Sequence, residues 1–137
     1  MNKVVLDTCV VIDFIQNRKP YSESAKEIFY LIADKKIEGN ITANTVADIY
    51  YLTHKYTHNH VASKKIISKL LSLVDTLDVN KDDVLNALDS EINDYEDAIL
   101  HESARRNKIN VIVTRNIKDY KNAVIDVETP ADFLKRF

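Results

Sequence analysis

Short apolar runs alternate with segments of helical periodicity along the whole chain, and this alternation restricts the fold more than any other feature. Residues 4–6 are all apolar and residues 111–114 are apolar up to Thr114, as in strands buried on both faces. Strands that alternate with helices predict a parallel sheet covered by helices on both sides. We therefore expect an α/β protein, a three-layer α/β/α sandwich with a central, mostly parallel sheet.

The remaining elements follow from periodicity, caps and breakers. Residues 36–39 are predicted to form a turn, and Asn80 and Thr129-Pro130 to begin helices. Further strands are predicted at residues 40–43, 76–79 and 124–127, the last of them at a sheet edge. Helices are predicted at residues 10–16, from residue 21 onward, and at 45–56, 61–74, 82–88 and 94–106. One glycine and two prolines leave little room for linkers, so residues 1–137 are expected to form a single domain.

Bulk properties narrow the class of protein. A hydrophobic fraction of 45% fits a globular chain, and a single cysteine suits a reducing compartment. No apolar stretch approaches the roughly 20 residues of a membrane span, so a cytoplasmic location without membrane contact is expected. The net charge of −2 argues against broad polyanion binding, although a basic rim around an acidic site can still meet phosphates.

Four aspartates stand where chain segments are expected to turn at one edge of the sheet. Asp7 ends the first apolar run, Asp48 lies near the start of a helix, and Asp97 opens another helix. Asp119 follows the last clear buried strand. Carboxylates brought together from distant positions repel one another, and a hard divalent cation such as Mg²⁺ or Mn²⁺ relieves that repulsion. The set indicates metal-assisted phosphodiester chemistry.

Each acid also has an ordinary interpretation. Thr45-x-x-Asp48 and Asp94-x-x-Asp97 both have the spacing of a helix capping box. Asp7 fits this interpretation least, because a carboxylate directly after a buried strand is partly desolvated and needs a partner or a metal.

The motifs around these acids resemble the PIN domain family, the metal-dependent ribonuclease fold found in the toxins of many bacterial and archaeal toxin–antitoxin pairs. The resemblance runs essentially from end to end. Val-Val-Leu-Asp-Thr resembles the family's first strand with its first acid, Asp7. Asp97-Ala-Ile-Leu-x-x-x-Ala resembles its third-acid helix. Val-Thr-Arg-Asn-x-x-Asp119-Tyr resembles its closing motif, and Asp48 stands where many members carry Glu.

The resemblance implies an endoribonuclease that hydrolyses RNA with Mg²⁺ or Mn²⁺ and is inhibited by a cognate antitoxin. Asp7 and Asp97 would be the primary metal ligands, with Asp48 and Asp119 acting through water or a second ion. Three residues could orient waters or carboxylates at the site: Thr8, Thr114 and Asn116. Four basic residues are candidates for contacts with the RNA backbone: Arg105, Arg106, Arg115 and Lys118. The family often dimerises, and apolar helices at residues 25–32 and 45–56 suggest a homodimer.

Three departures from the family pattern leave an alternative open. Cys9 stands where Asn or Ser is usual, Asp48 is one methylene shorter than Glu, and Asn116 replaces an acid found in many members. These changes support a second interpretation, in which the chain is a PIN-like module with weakened catalysis that binds RNA or protein.

Overall fold

A parallel sheet forms the centre of the protein, as shown by a computed structural model that describes residues 2–137. Its strands in that range are β1 (Asn2–Leu6), β2 (Ile37–Thr42), β3 (Asp75–Leu77), β4 (Val111–Val113) and β5 (Asp126–Glu128). They lie in the order β3-β2-β1-β4-β5, and every neighbouring pair is parallel. The expected parallel sheet is confirmed, with the strand near residues 124–127 at an edge.

Helices fill the connections between the strands. They are α1 (Thr8–Ile15), α2 (Ser22–Ala33), α3 (Ala43–Thr57), α4 (His60–Leu73), α5 (Lys81–Leu88), α6 (Tyr95–Arg106) and α7 (Pro130–Leu134), with a 3₁₀ helix at Ile117–Tyr120. The expected caps form. Asn80 and Asp83 make a reciprocal capping box at α5, and the Thr129 hydroxyl accepts from Asp132 N at α7. No helix of the described chain is long and apolar enough to cross a membrane.

The sheet separates two hydrophobic cores, because successive side chains of a strand point to opposite faces. Val4 and Leu6 of β1 pack into a core with residues of α1, α2, α3, α4 and α7. Val5 packs on the other face with Ile112 and with residues of α6, among them Leu100. This division confirms the three-layer α/β/α arrangement.

The turn predicted at residues 36–39 is wrong, because β2 begins at Ile37. The chain reverses one residue earlier, where Lys35 adopts a positive φ of 59°. Gly39 lies inside β2 and is buried; a Cβ at this position would collide with Ile32 Cδ1. The only glycine of the chain therefore permits a close approach of α2 to the sheet and does not form a turn.

Candidate active site

Asp7 lies at the junction of β1 and α1, where its backbone extends the strand pairing and its side chain caps the helix. Its N–H donates to Val113 O at 3.0 Å, and its Oδ1 accepts from Thr8 N at 2.9 Å as the N-cap of α1. Its Oδ2 accepts from Thr114 Oγ1 at 2.7 Å. Only 7% of Asp7 is exposed. This burial raises the pKa of Asp7 above its ordinary value, against the opposing effect of the hydrogen bonds.

Asp97 stands in the first turn of α6, which covers the other face of the sheet. The side chain of Asp94 caps this helix by accepting from Asp97 N at 2.9 Å, so the capping role expected for Asp94 is confirmed. Partial burial raises the pKa of Asp97 to about 7, and the negative charges of Asp7 and Asp94 add to the effect. The two predicted ligands therefore lie close enough for their charges to interact.

The hydroxyl of Tyr120 lies between these two carboxylates. Tyr120 is 2% exposed, and its Oη donates to Asp97 Oδ1 at 3.2 Å. The same hydroxyl lies near enough to Asp7 to lower the pKa of that carboxyl. Burial, followed by the charges of Asp7 and Asp97, raises the pKa of Tyr120. The phenol therefore keeps its proton and donates a hydrogen bond to Asp97.

Asp48 reaches the same edge from α3 and pairs with Glu96 of α6. Protonated Glu96 donates a hydrogen bond to the Asp48 carboxylate, which raises the pKa of Glu96 to about 7, and burial and the charges of neighbouring acids add to this effect. Two carboxyl groups share a hydrogen bond only when one of them carries a proton, because an ionised carboxylate has no donor. The helices are also joined at this point, where Asn44 Nδ2 donates to Glu96 O at 3.5 Å.

The capping interpretation of Thr45-x-x-Asp48 is wrong. Helix α3 begins at Ala43 with Thr42 as its N-cap, which places Asp48 in the second turn. The Thr45 hydroxyl donates to Thr42 O at 2.8 Å and makes no bond to Asp48. Glu96 did not figure among the predicted site residues. Its sequence environment could have indicated a site role, because Asp94, Glu96 and Asp97 stand within one helical turn. Three acids are more than the capping of one helix start requires.

Asp119 completes the set from the 3₁₀ helix at the end of β4. It is exposed, and its negative charge contributes to the raised pKa values of both Asp7 and Asp97. The structure thus places Asp7, Asp97 and Asp119 close enough for their charges to interact, while Asp48 joins them through Glu96.

The predicted supporting groups differ in how they are used. Thr114 is buried; its hydroxyl donates to Asp7 and accepts from Asn116 N at 3.0 Å. Asn116 is exposed and contributes its backbone to this chain of hydrogen bonds. The Thr8 hydroxyl is buried with no hydrogen-bond partner among residues 2–137. Cys9 Sγ lies 4.0 Å from Asp7 Oδ2 and 3.7 Å from Thr114 Oγ1, so the support for Asp7 comes from Thr114.

Asp13, a residue of α1, is buried. It is 1% exposed and binds two guanidinium groups. Arg18 Nε lies 2.9 Å from its Oδ1 and Arg115 Nε 2.6 Å from its Oδ2. Arg115 also stacks on the ring of Tyr21 with its Cζ 3.9 Å from the ring centroid. Arg115, predicted to contact RNA, is thus held in place by the fold.

The other basic candidates divide into structural and exposed groups. Arg106 joins α6 to the start of α5 through Asp83 at 2.8 Å and Asp78 at 3.1 Å. Arg105 is exposed and lies 3.5 Å from Glu102. Lys118 is exposed and lines a cavity of about 230 Å³ together with Asp119 and other residues. Only Lys118 of this group lies directly beside the acids.

Comparisons with known proteins agree with the fold described above. A DNA-bound VapBC structure from Salmonella typhimurium superposes with a TM-score of 0.72 at 21% identity, covering 95% of this chain and 99% of that chain. VapBC2 from Rickettsia felis, bound to a promoter DNA fragment, gives 0.71 at 17% identity, with 93% and 98% covered. VapC20 from Mycobacterium tuberculosis, described as a Sarcin-Ricin loop cleaving toxin, gives 0.62 at 17% identity, with 80% and 86% covered.

These structural similarities establish the fold. A search of curated proteins gave no significant match. A family model described as PIN domain matches residues 3–118, which includes Asp7, Asp48 and Asp97 and ends one residue before Asp119. The match extends over most of the sequence, and the chain therefore belongs to the PIN domain family.

Proposed function

We propose that residues 1–137 act as one PIN-like domain, a Mg²⁺- or Mn²⁺-dependent endoribonuclease that serves as the toxin of a toxin–antitoxin pair. The observation that carries this proposal is that Asp7 and Asp97 lie close enough at the carboxyl edge of the sheet for their charges to interact, with the Tyr120 hydroxyl donating to Asp97. Ligands of open parallel sheets bind at this edge. Carboxyl groups whose pKa is raised to about 7 at one site also favour a catalytic role over a structural one.

The donor groups fit a hard divalent cation. All the acids offer oxygen, but no group of three or more His, Cys, Asp or Glu in residues 2–137 is placed to hold a metal ion, so waters would have to complete the coordination of an ion bound by two carboxylates. Mg²⁺ suits such an open site, because it keeps several waters and uses one or two carboxylates. Asp7 and Asp97 would be its ligands. The metal would neutralise charge on the phosphoryl oxygens and lower the pKa of a water nucleophile.

The protein's own groups would orient the ligands and waters. Thr114 fixes Asp7 Oδ2, and Tyr120 fixes Asp97 Oδ1. The unpaired Thr8 hydroxyl offers a donor and acceptor for a water beside Asp7. Asp119 and the Asp48–Glu96 pair would hold further waters, and the proton that this pair shares at neutral pH is available to a leaving oxygen.

An RNA substrate and a cognate antitoxin are proposed as partners. The similar structures from Salmonella and Rickettsia are described as VapBC and VapBC2 bound to DNA, and VapC20 is described as a Sarcin-Ricin loop cleaving toxin. An antitoxin would place an arginine between the acids, because a guanidinium bridges two carboxylates in a fork geometry. Exposed tyrosines on α2 and α3, namely Tyr30, Tyr51 and Tyr56, support an apolar contact surface for the antitoxin or for a homodimer.

RNA cleavage during a Mn²⁺ titration tests the enzymatic part of the proposal. The wild-type chain should cut RNA only with metal, and Asp97→Asn should cut at least about 100-fold more slowly, since it removes one ligand charge. Asp34→Asn is the matched control, because Asp34 is an exposed acid between α2 and β2, at the amino edge of the sheet. Metal-independent cleavage, or equal loss in both variants, contradicts the proposal. RNA binding without cleavage would support the alternative of a catalytically weakened binding module.

A further inference from the structure

We propose that a cavity beside Arg115 and Tyr21 binds one unpaired nucleobase of the RNA, next to the nucleotide whose phosphate meets the acids. The cavity has a volume of about 390 Å³ and is lined by Pro20, Tyr21, Arg115, Thr129 and Pro130, among others. This inference rests on the proposed function, because it names a substrate-binding position for the same site.

The cavity lies at the same edge of the sheet as the acids. Arg115 follows β4, and Thr129 and Pro130 follow β5, so both parts of its wall stand at the carboxyl ends of parallel strands. Arg115 is also the neighbour in sequence of Thr114, whose hydroxyl holds Asp7 at 2.7 Å. Consecutive Cα atoms are about 3.8 Å apart, so the backbone of Arg115 lies one residue from the support of Asp7.

The stacked pair of Arg115 and Tyr21 offers a flat surface of the kind that binds bases. The guanidinium lies 3.9 Å from the ring centroid, yet 46% of Tyr21 remains exposed. Arg115 bonds to Asp13 through Nε and Nη2, and its Nη1 makes no hydrogen bond within residues 2–137. Planar aromatic and guanidinium groups stack on nucleobases that have left a double helix.

The charge around the cavity is positive and favours the binding of RNA. Two guanidinium groups, of Arg18 and Arg115, share the single carboxylate of Asp13, which leaves an excess of positive charge. The acids at the reaction centre repel a phosphodiester, so a neighbouring cationic surface is what would hold the strand. The apolar prolines and the Tyr21 ring exclude a bare phosphate as the occupant and favour a base.

An abasic scan of a single-stranded RNA tests this proposal. Fluorescence anisotropy would follow binding of labelled oligo(A), oligo(U) and oligo(C), each intact or lacking one base at successive positions. Ca²⁺ would be present to neutralise the acids, and gels would verify that the probe stays whole. In the wild-type chain, removal of one particular base should weaken binding by roughly 5- to 100-fold, the range that corresponds to loss of one base–aromatic stack.

Tyr21→Ala should weaken binding of the intact RNA by a similar factor. The RNA affinity of this variant should no longer change when that same base is removed. Tyr21→Phe keeps the ring and should behave as the wild type does. Phe137→Ala is the matched control, because Phe137 is an aromatic residue that is 56% exposed and does not line the cavity. Melting curves of the variants would establish that each is folded.

Two results would overturn the base-binding position. One is unchanged RNA affinity in Tyr21→Ala, which would show that the cavity does not bind RNA and would favour a protein partner as its occupant. The other is equal sensitivity to the missing base in Tyr21→Ala and in the wild type. If either occurs while the wild type still cleaves RNA with Mn²⁺, the proposed nuclease survives. If the wild type neither binds nor cleaves RNA, both proposals fail.

Discussion

Thr114 Oγ1 donates a hydrogen bond to Asp7 Oδ2 at 2.7 Å, and this bond joins residues at the ends of two adjacent parallel strands. Both residues are buried. The bond leaves Asp7 little freedom to rotate, so its carboxylate faces Asp97 and Tyr120 in a fixed orientation. Such partners of a ligating carboxylate commonly decide metal affinity.

Thr114→Val removes this donor while keeping a branched side chain. We expect Mn²⁺ affinity and RNA cleavage to fall by about 10- to 100-fold, the usual effect of losing a hydrogen bond to a metal ligand. Thr114→Ser retains the hydroxyl and should recover most of the loss. Calorimetry and a cleavage assay measure the two quantities. Equal behaviour of the Val and Ser variants would show that the hydroxyl has no such role.

The metal-free protein should lose stability as pH rises from about 4 to about 7. In this window the folded chain keeps protons on Asp97 and Glu96, whose pKa values are raised to about 7, whereas the unfolded chain has released them. Folding stability falls with pH wherever the folded state binds more protons. Melting in EDTA across this range measures the effect. A melting temperature that rises between pH 5 and pH 8 would contradict it.

The Asp97→Asn variant should reverse part of this loss. At pH 8 without metal it should melt a few degrees above the wild type, because about 1 kcal/mol shifts the melting temperature of a domain of this size by roughly 3–5 °C. Mg²⁺ or Mn²⁺ should stabilise the wild type more than the variant, since a ligand that binds only the folded state stabilises it by mass action. Identical responses to metal in the two proteins would argue against Asp97 as a ligand.

Asp13 should be important for stability without taking part in the chemistry. Asp13→Ala leaves two guanidinium groups without their shared carboxylate. We expect the free energy of unfolding to fall by about 2 kcal/mol. This is less than the cost of breaking a fully buried pair, because both arginines are partly exposed. Urea unfolding measures this loss. Asp132→Ala is the control, because Asp132 pairs with Lys135 on the surface and should change stability by less than about 0.5 kcal/mol. Similar costs for the two variants would contradict the assigned role of Asp13.

Much of the fold was accessible from the sequence because its determinants are local. The apolar strands, the capping box at Asn80 and the Thr129-Pro130 helix start each depend on a few consecutive residues. The turn at residues 36–39 was misplaced because the role of Gly39 depends on Ile32, a residue of the preceding helix. A glycine that allows close packing has no local signature that separates it from one in a turn.

The candidate site was only partly accessible for the same reason. Asp7 and Asp97 stand in recognisable local contexts. The pairing of Asp48 with Glu96 depends on the contact between α3 and α6, which no local pattern specifies. The partners of Asp13 likewise come from separate loops, so its sequence environment resembled that of a surface residue.

Expression of the chain tests the toxin part of the proposal separately. Expression alone should arrest growth, and co-expression of a small gene adjacent to this one should relieve the arrest, because an antitoxin arginine would compete with metal at the acids. Asp97→Asn should abolish the arrest, and Asp34→Asn should not. Harmless expression of an enzyme that cuts RNA in vitro would exclude the toxin role and leave the nuclease intact.

A calorimetric Mn²⁺ titration of the wild type, Asp7→Asn and Asp34→Asn tests the central claim most directly, since it measures the metal site itself. The wild type and Asp34→Asn should bind Mn²⁺ alike near pH 7 and release protons on binding, because the raised pKa of Asp97 leaves its carboxylate partly protonated until metal arrives. Asp7→Asn should remain folded and bind at least about 10-fold more weakly. Unchanged Mn²⁺ affinity in Asp7→Asn would contradict the assignment of a metal to the edge formed by Asp7 and Asp97.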